Sequence, residues 1–181
     1  MRNGYHDIHS LVTFCNLHDI ILVSKTNCLH DEIVFSGKFK NGISKKSNTI
    51  TKLLYLLRKK NFFKKQSFKI NIRKNIPHGS GLGGGSSNAA VLLNFFNSKM
   101  HLGLKKNVII KIANQIGFDT PINLHKKNTL VTGKKGKLVR LNNKLGLDIL
   151  ITYPNIICST KKIYAKNNKI SFQKSQINFN T

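Results

Sequence analysis

The sequence predicts an α+β fold, a layer of short strands covered by helices, from three observations. Segments of period-2 alternation and segments of helical period both occur, without the strict βαβ repeat of a doubly wound sheet. No internal repeat or long low-complexity linker divides the chain. Its 181 residues suffice for one substantial core, or for one domain plus part of a second.

Asp19 to Val23 and Glu32 to Phe35 read as strands separated by a polar stretch. Helical spacing follows, with Ile50, Leu53, Leu54 and Leu57 at i, i+3, i+4 and i+7 and Asn48 placed as N-cap. Phe68 to Arg73 alternates like a half-buried strand and leads into a glycine-rich segment. Ala89, Leu92, Leu93, Phe96 and Met100 mark the buried face of a helix starting near Ser86. Ile109, Ile112, Ala113 and Ile116 mark another, ended by Gly117. Strands are expected at Thr129 to Thr132, Lys137 to Leu141 and Leu147 to Tyr153, and a last helix after Ser159.

Composition narrows the class. No apolar run is long enough to cross a bilayer and the first residues do not read as a signal peptide, so a cytoplasmic protein without membrane contact is expected. Cys15, Cys28 and Cys158 are scattered and odd in number, which predicts reduced thiols packed as small hydrophobes. The net charge of +25, from 31 basic and 6 acidic residues, would attract polyanions. The lysines are spread along the whole chain among Asn, Ile and Phe, and no helix-turn-helix, zinc finger or RNP-like pattern accompanies them. Nucleic acid is therefore not the expected partner, although the charge would help to capture an anionic nucleotide. His6, Asp7 and His9 make a poor metal site, and no metal ligands are assigned.

Chemistry concentrates between Asn75 and Ala90, where five glycines fall in seven residues, Gly79 to Gly85, between a strand and a helix. Glycine admits positive φ, so successive N–H groups can turn inward as an anion nest, reinforced by the helix N-terminus. Ser86 and Ser87 can cap the helix, donate to phosphate oxygens or assist a magnesium ion. A plain flexible loop is the alternative. A Walker A loop is excluded by the missing Gly-Lys-Ser/Thr, and a dinucleotide site fits poorly because no acidic residue follows at the right distance. Asp119, before Pro121, reads from spacing alone as a solvated turn aspartate.

Pro77 to Ala90 resembles the Pro-x-x-x-Gly-Leu-Gly-Gly-Gly-Ser-Ser-Asn-Ala-Ala signature of the diphosphocytidyl-methylerythritol kinases, within the GHMP kinase superfamily. Gly4-Tyr5-His6, Gly117-Phe118-Asp119-Thr120-Pro121 and the stretch from Tyr153-Pro154 to Ser159-Thr160 and Tyr164 resemble three further family segments in the same order. The resemblance implies a GHMP-kinase N-terminal domain (ribosomal protein S5 domain 2-like) at 1–146, and the beginning of the α/β C-terminal domain at 147–181. It implies ATP-dependent phosphorylation of the 2-hydroxyl of 4-diphosphocytidyl-2-C-methyl-D-erythritol, a step of non-mevalonate isoprenoid synthesis, with Mg2+. Asp119 would be the base. Pro77, His78, Gly79, Ser80, Gly81, Leu82, Gly83, Gly84, Gly85, Ser86 and Ser87 would hold the triphosphate.

Lys74 would meet phosphate or the adenosine region, or else be solvated; Asn48 would border the adenine pocket, or simply cap its helix. Tyr5, His6, Thr160 and Tyr164 would serve cytosine recognition, with Tyr5 or Tyr164 stacked on the base or merely packed. Phe118 and Thr120 replace the commoner Ala and Val. The family also places a Pro-Ala-Lys-x-Asn strand before Gly-Tyr-His, and a longer C-terminal domain with a later glycine-rich segment. The chain is thus expected to cover part of the enzyme, with an unpaired sheet edge, marginal stability and weak activity. The rivals are a GHMP kinase for another small alcohol, and a basic nucleic-acid-binding remnant of the fold.

Overall fold

A computed structural model describes residues 8–63, 65–134, 136–142 and 146–154. Strands β1 (His9–Val12), β2 (Ile20–Thr26) and β3 (Glu32–Ser36) precede helix α1 (Thr49–Lys59) and strand β4 (Ser67–Arg73). Helices α2 (Gly84–Lys99) and α3 (Lys106–Ile116), a 3-10 turn (Ile122–Leu124), and strands β5 (Thr129–Thr132) and β6 (Lys137–Arg140) follow. The predicted α+β class holds.

The strands form two three-stranded sheets, in the orders β2-β4-β3 and β1-β5-β6. In the first, β2 runs antiparallel and β3 parallel to β4. Register places Ile21 and Phe35 beside Ile72, and Val23 and Ile33 beside Ile70, so one face of the sheet is a continuous apolar row. The helices cover that row. Ile50, Leu53, Leu54 and Leu57 of α1 pack there with Ala89, Ala90, Leu92, Leu93 and Phe96 of α2 and with Ile112, Ala113 and Ile116 of α3. Phe63, Phe68 and Phe96 interlock with ring centroids 4.8–4.9 Å apart. The opposite sheet face is open, with Leu22 64% exposed.

Arg58 near the end of α1 donates two hydrogen bonds to Asp31, at 2.7 and 2.6 Å, and a third to the Gln66 carbonyl. Asp31 also accepts the Phe68 amide at 2.9 Å. This charge-assisted fork fixes helix and sheet together at the end remote from the glycine loop.

Three expectations need correction. Leu147 to Tyr153 is not a strand: it pairs with no described strand, and Leu150 is 93% exposed, since an apolar stretch gives no ladder without a neighbouring edge. β1 and the 3-10 turn were not foreseen, because four exposed or half-buried residues and a single turn carry too little periodicity. Cys15 and Cys28 are free but exposed rather than packed, being placed in connections outside the helix-covered face; Cys158 lies outside the described residues.

Candidate functional site

The glycine segment joins β4 to α2 through a left-handed backbone at Gly79, Gly81 and Gly83, with φ of 71°, 78° and 69°. Gly83 is the N-cap of α2, with no side-chain cap, whereas α1 is closed by a capping box in which Asn48 accepts the Ile50 and Thr51 amides. The first-turn amides of α2 are thus left without a side-chain acceptor, the arrangement that suits an anion. The helix begins at Gly84, two residues before the predicted start, so Ser86 and Ser87 lie within the first turn instead of capping it. Close packing explains the early start. A Cβ on Gly84 would stand 3.0 Å from Ile76 Cγ2, so glycine lets the helix begin against that side chain without displacing it.

A cavity of about 400 Å³ opens over this turn. Every residue from Pro77 to Ser86 lines it, together with Asn48 and Lys74; Ser87 does not. Asn48 Nδ2 donates to the Ser44 carbonyl at 2.8 Å, so the amide of Asn48 is engaged in shaping the cavity wall. Thr49 Oγ1 donates to the Gly85 carbonyl at 2.8 Å and joins α1 to the loop.

Lys74 is not solvated. Its ammonium forms an ion pair with Asp19, and the two side chains are 5% and 0% exposed. Asp19 Oδ1 also accepts the amides of Asn75 and Ile76 at 2.8 and 2.9 Å, and Oδ2 accepts Asn88 Nδ2 at 2.8 Å. Desolvation, the largest single influence, pushes the Asp19 pKa up; Lys74, the Ile76 amide, Asn88 and the Asn75 amide together bring it below the ordinary 3.8. Sequence reading missed Asp19. The available signal was an acidic residue at a strand start in a chain that holds only six acids.

α3 ends at Gly117, whose φ of −179° is extended backbone open to any residue. Lys52 Nζ donates to the Ile116 carbonyl at 3.2 Å, a cation at the negative end of the helix. A Cβ on Gly117 would lie 3.9 Å from Ser86 Oγ, so the turn that follows begins beside the first turn of α2. Asp119 sits in that turn, outside the lining of the 400 Å³ cavity. Its carbonyl accepts Asn123 Nδ2 at 2.8 Å; the residue itself is solvent-exposed, and partial desolvation of its carboxyl raises the pKa above 3.8, with no ion pair among the described residues.

The two unusual neighbours of Asp119 find places. Phe118 lies over Gly136, where a Cβ would come within 2.5 Å of the ring, and Thr120 is fully buried with its hydroxyl unpaired among the described residues. Arg140 of β6, also missed from sequence, holds the other side of the turn. Its guanidinium donates to the carbonyls of Pro121 and Ile122, each at 2.7 Å, and to Thr129 Oγ1 at 2.6 Å.

The structure therefore brings Asn48, Lys74 and the loop from Pro77 together, with Asp119 on the adjoining turn. Tyr5, His6, Thr160 and Tyr164 lie outside the described residues. Among the described residues no cluster of three or more His, Cys, Asp or Glu could hold a metal ion, and no helix is long and apolar enough to cross a membrane.

Residues 48–127 match the family described as GHMP kinases N terminal domain. The chain is 42% identical over 177 residues to a protein of Pelagibacter ubique named 4-diphosphocytidyl-2-C-methyl-D-erythritol kinase, covering 98% of this chain and 62% of that one. A protein of the same name from Caldicellulosiruptor saccharolyticus is 33% identical, over 90% of this chain and 55% of its own. The chain thus spans about three fifths of the length of these relatives. Among solved structures, a 4-(cytidine 5'-diphospho)-2C-methyl-D-erythritol kinase superposes with a TM-score of 0.62 at 25% identity, covering 78% of this chain and 48% of that one. The homoserine kinase of Cytophaga hutchinsonii shares the fold at a TM-score of 0.56 and 18% identity, over 68% of this chain and 42% of its own. A matching family domain over the glycine loop and the Asp119 turn, and relatives aligned along nearly the whole chain, lead to one conclusion: residues 48–127 form a GHMP kinase N-terminal domain.

Proposed function

We propose that the chain serves ATP-dependent phosphorylation of the 2-hydroxyl of 4-diphosphocytidyl-2-C-methyl-D-erythritol, in the cytoplasm, as a step of non-mevalonate isoprenoid synthesis. In this reading residues 1–146 are the ATP-binding domain and 147–181 the opening of a second domain. The observation that carries it is the glycine loop, in which three left-handed glycines and an uncapped helix start face a cavity beside the Asp119 turn.

Phosphoryl transfer asks little covalent chemistry of a protein, so placement of the triphosphate and of the hydroxyl are its two tasks. The first-turn amides of α2 and the loop from Pro77 to Ser86 hold the triphosphate. Asp119, with its pKa raised above 3.8 by desolvation, takes the proton of the 2-hydroxyl as that oxygen bonds to the γ-phosphorus and ADP leaves. Mg2+ would be held chiefly by the phosphates themselves, with Ser86 among the hydroxyls lining the cavity that could assist, and it would neutralise charge between the phosphates. Tyr5, His6, Thr160 and Tyr164 are proposed for the cytidine end of the substrate.

The purified chain with labelled ATP and Mg2+, offered the diphosphocytidyl alcohol, homoserine and mevalonate in turn, tests the reading. Transfer to the first above the other two is expected. Preference for homoserine or mevalonate, or no transfer to any, overturns it. DNA or RNA binding that salt abolishes and ATP does not compete away would favour the nucleic-acid rival.

A further inference from the structure

We propose that Asp19 is a positioning residue for the glycine loop, setting the shape of the triphosphate site without touching the ligand. The inference rests on the phosphate-binding reading above.

The loop has little of its own to define its conformation. A Cβ placed on Gly81 or Gly83 would meet nothing within 4 Å, and Ser80 Oγ to the Pro77 carbonyl, at 2.9 Å, is a short-range tie within the segment. A chain of glycines held only by itself would sample many backbone states. Its geometry must therefore be imposed at its ends.

Asp19 reaches both ends. Lys74, Asn75 and Ile76 precede the loop and Asn88 follows it, and all four donate to the same carboxylate. Each oxygen takes two donors, which fills the acceptor capacity of the group. The preceding residue adds a further tie, since Asn75 Nδ2 donates to the His18 carbonyl at 2.9 Å. The strand side is anchored in turn, because the Lys74 amide donates to the Ser36 carbonyl at 2.8 Å, and Gly37, at φ +87°, passes so close to the Lys74 carbonyl that a Cβ would clash at 2.7 Å.

Charge makes the device compatible with an anion. A lone carboxylate beneath the loop would repel phosphate, whereas the Lys74 pair cancels its charge locally. Lys74 thus lines the cavity as half of a neutral pair, which separates its role from that of a free cation directed at phosphate.

The test compares ATP with adenosine by titration calorimetry, on the wild-type chain, Asp19→Asn and Asn88→Ala, at a temperature where circular dichroism shows each folded. Asp19→Asn, keeping the oxygen that faces the Asn75 and Ile76 amides, loses acceptance from both Lys74 and Asn88, which share the other oxygen. The proposal expects at least about a 10-fold loss of ATP affinity with adenosine affinity kept within about twofold, because only the phosphate end is disordered. Asn88→Ala, which spares the ion pair, should lose less ATP affinity with the same selectivity for ATP over adenosine. Unchanged ATP affinity in both variants, even with a lowered melting temperature, makes Asp19 a purely structural residue and overturns the inference. Equal losses for ATP and adenosine overturn it too. A wild-type chain that binds no ATP removes the phosphate-binding reading itself, and this inference with it.

Discussion

Asp19, whose side chain is fully buried, and Asp119, exposed on the turn after α3, are two carboxylates near the start of α2, and the protein treats them oppositely. Asp19 receives a lysine, two backbone amides and an asparagine, and its pKa falls below 3.8; Asp119 is partly desolvated without an ion pair among the described residues, and its pKa rises. The paired group is fixed in charge and contributes to architecture. The unpaired one is destabilised in its charged form, which is the condition for taking a proton.

The sharpest way to break this comparison is Asp119→Asn. Turnover should fall by roughly 10²–10⁴ as a general base is lost, while ATP affinity is retained and the melting temperature is unchanged or higher. Near-normal turnover in single-turnover assays would remove the base assignment. Lys74→Met should do the reverse, destabilising the fold by about 3–5 kcal/mol because Asp19 is left charged and buried without its cation. Urea unfolding measures this, and Asp19→Asn added to Lys74→Met should recover part of the loss. A purely additive pair would show that the two groups do not act as one unit.

The pH dependence sharpens the contrast. Asp19 has a folded-state pKa below the ordinary 3.8, so its contribution is present above pH 3.8 and is lost as pH falls through the lower folded value. Asp119 has the opposite sign, with a folded-state pKa above 3.8: the stability tied to its protonated form is full below 3.8 and is lost as pH rises through the raised value. Acid unfolding below pH 3.8 should therefore be less steep in Asp19→Asn than in the wild type, and Asp119→Asn should not share that change.

Smaller effects are expected in the wall of the Asp119 turn. Gly136→Ala should cost about 1–3 kcal/mol, because it overpacks the site against the Phe118 ring and strains a left-handed φ of 62°; Phe118→Ala in the same chain should relieve the ring contact. Thr120→Val, which keeps shape and removes a buried hydroxyl without a partner, should raise stability by up to about 1 kcal/mol in thermal melts. A loss of similar size would mean that the hydroxyl has a partner.

How much was legible depended on how locally each feature is encoded. The i, i+3, i+4, i+7 row from Ile50 to Leu57 and the alternation from Phe68 to Arg73 mark their elements because packing there follows the element's own period. The glycine run announced its loop because only glycine adopts three left-handed positions in so short a space. Leu147 to Tyr153 misled because an apolar stretch set off by turn signals is not a strand without a partner edge. Lys74 could be placed at the cavity from its position in the chain, yet its pairing could not, because Asp19 stands 55 residues earlier.

The sequence by itself determined the α+β class, the resemblance to the GHMP kinase N-terminal domain, the position of the glycine loop and the presence of a carboxylate on the turn after α3. These rest on short-range periodicity and on one dense motif. Only the tertiary structure decided which acids are paired, that Gly83 and not Ser86 opens α2, and that Arg140 and Gly136 shape the Asp119 turn. Such features are long-range: a pKa or a cap is set by whichever donors the fold delivers to a given oxygen, and no local pattern records their arrival.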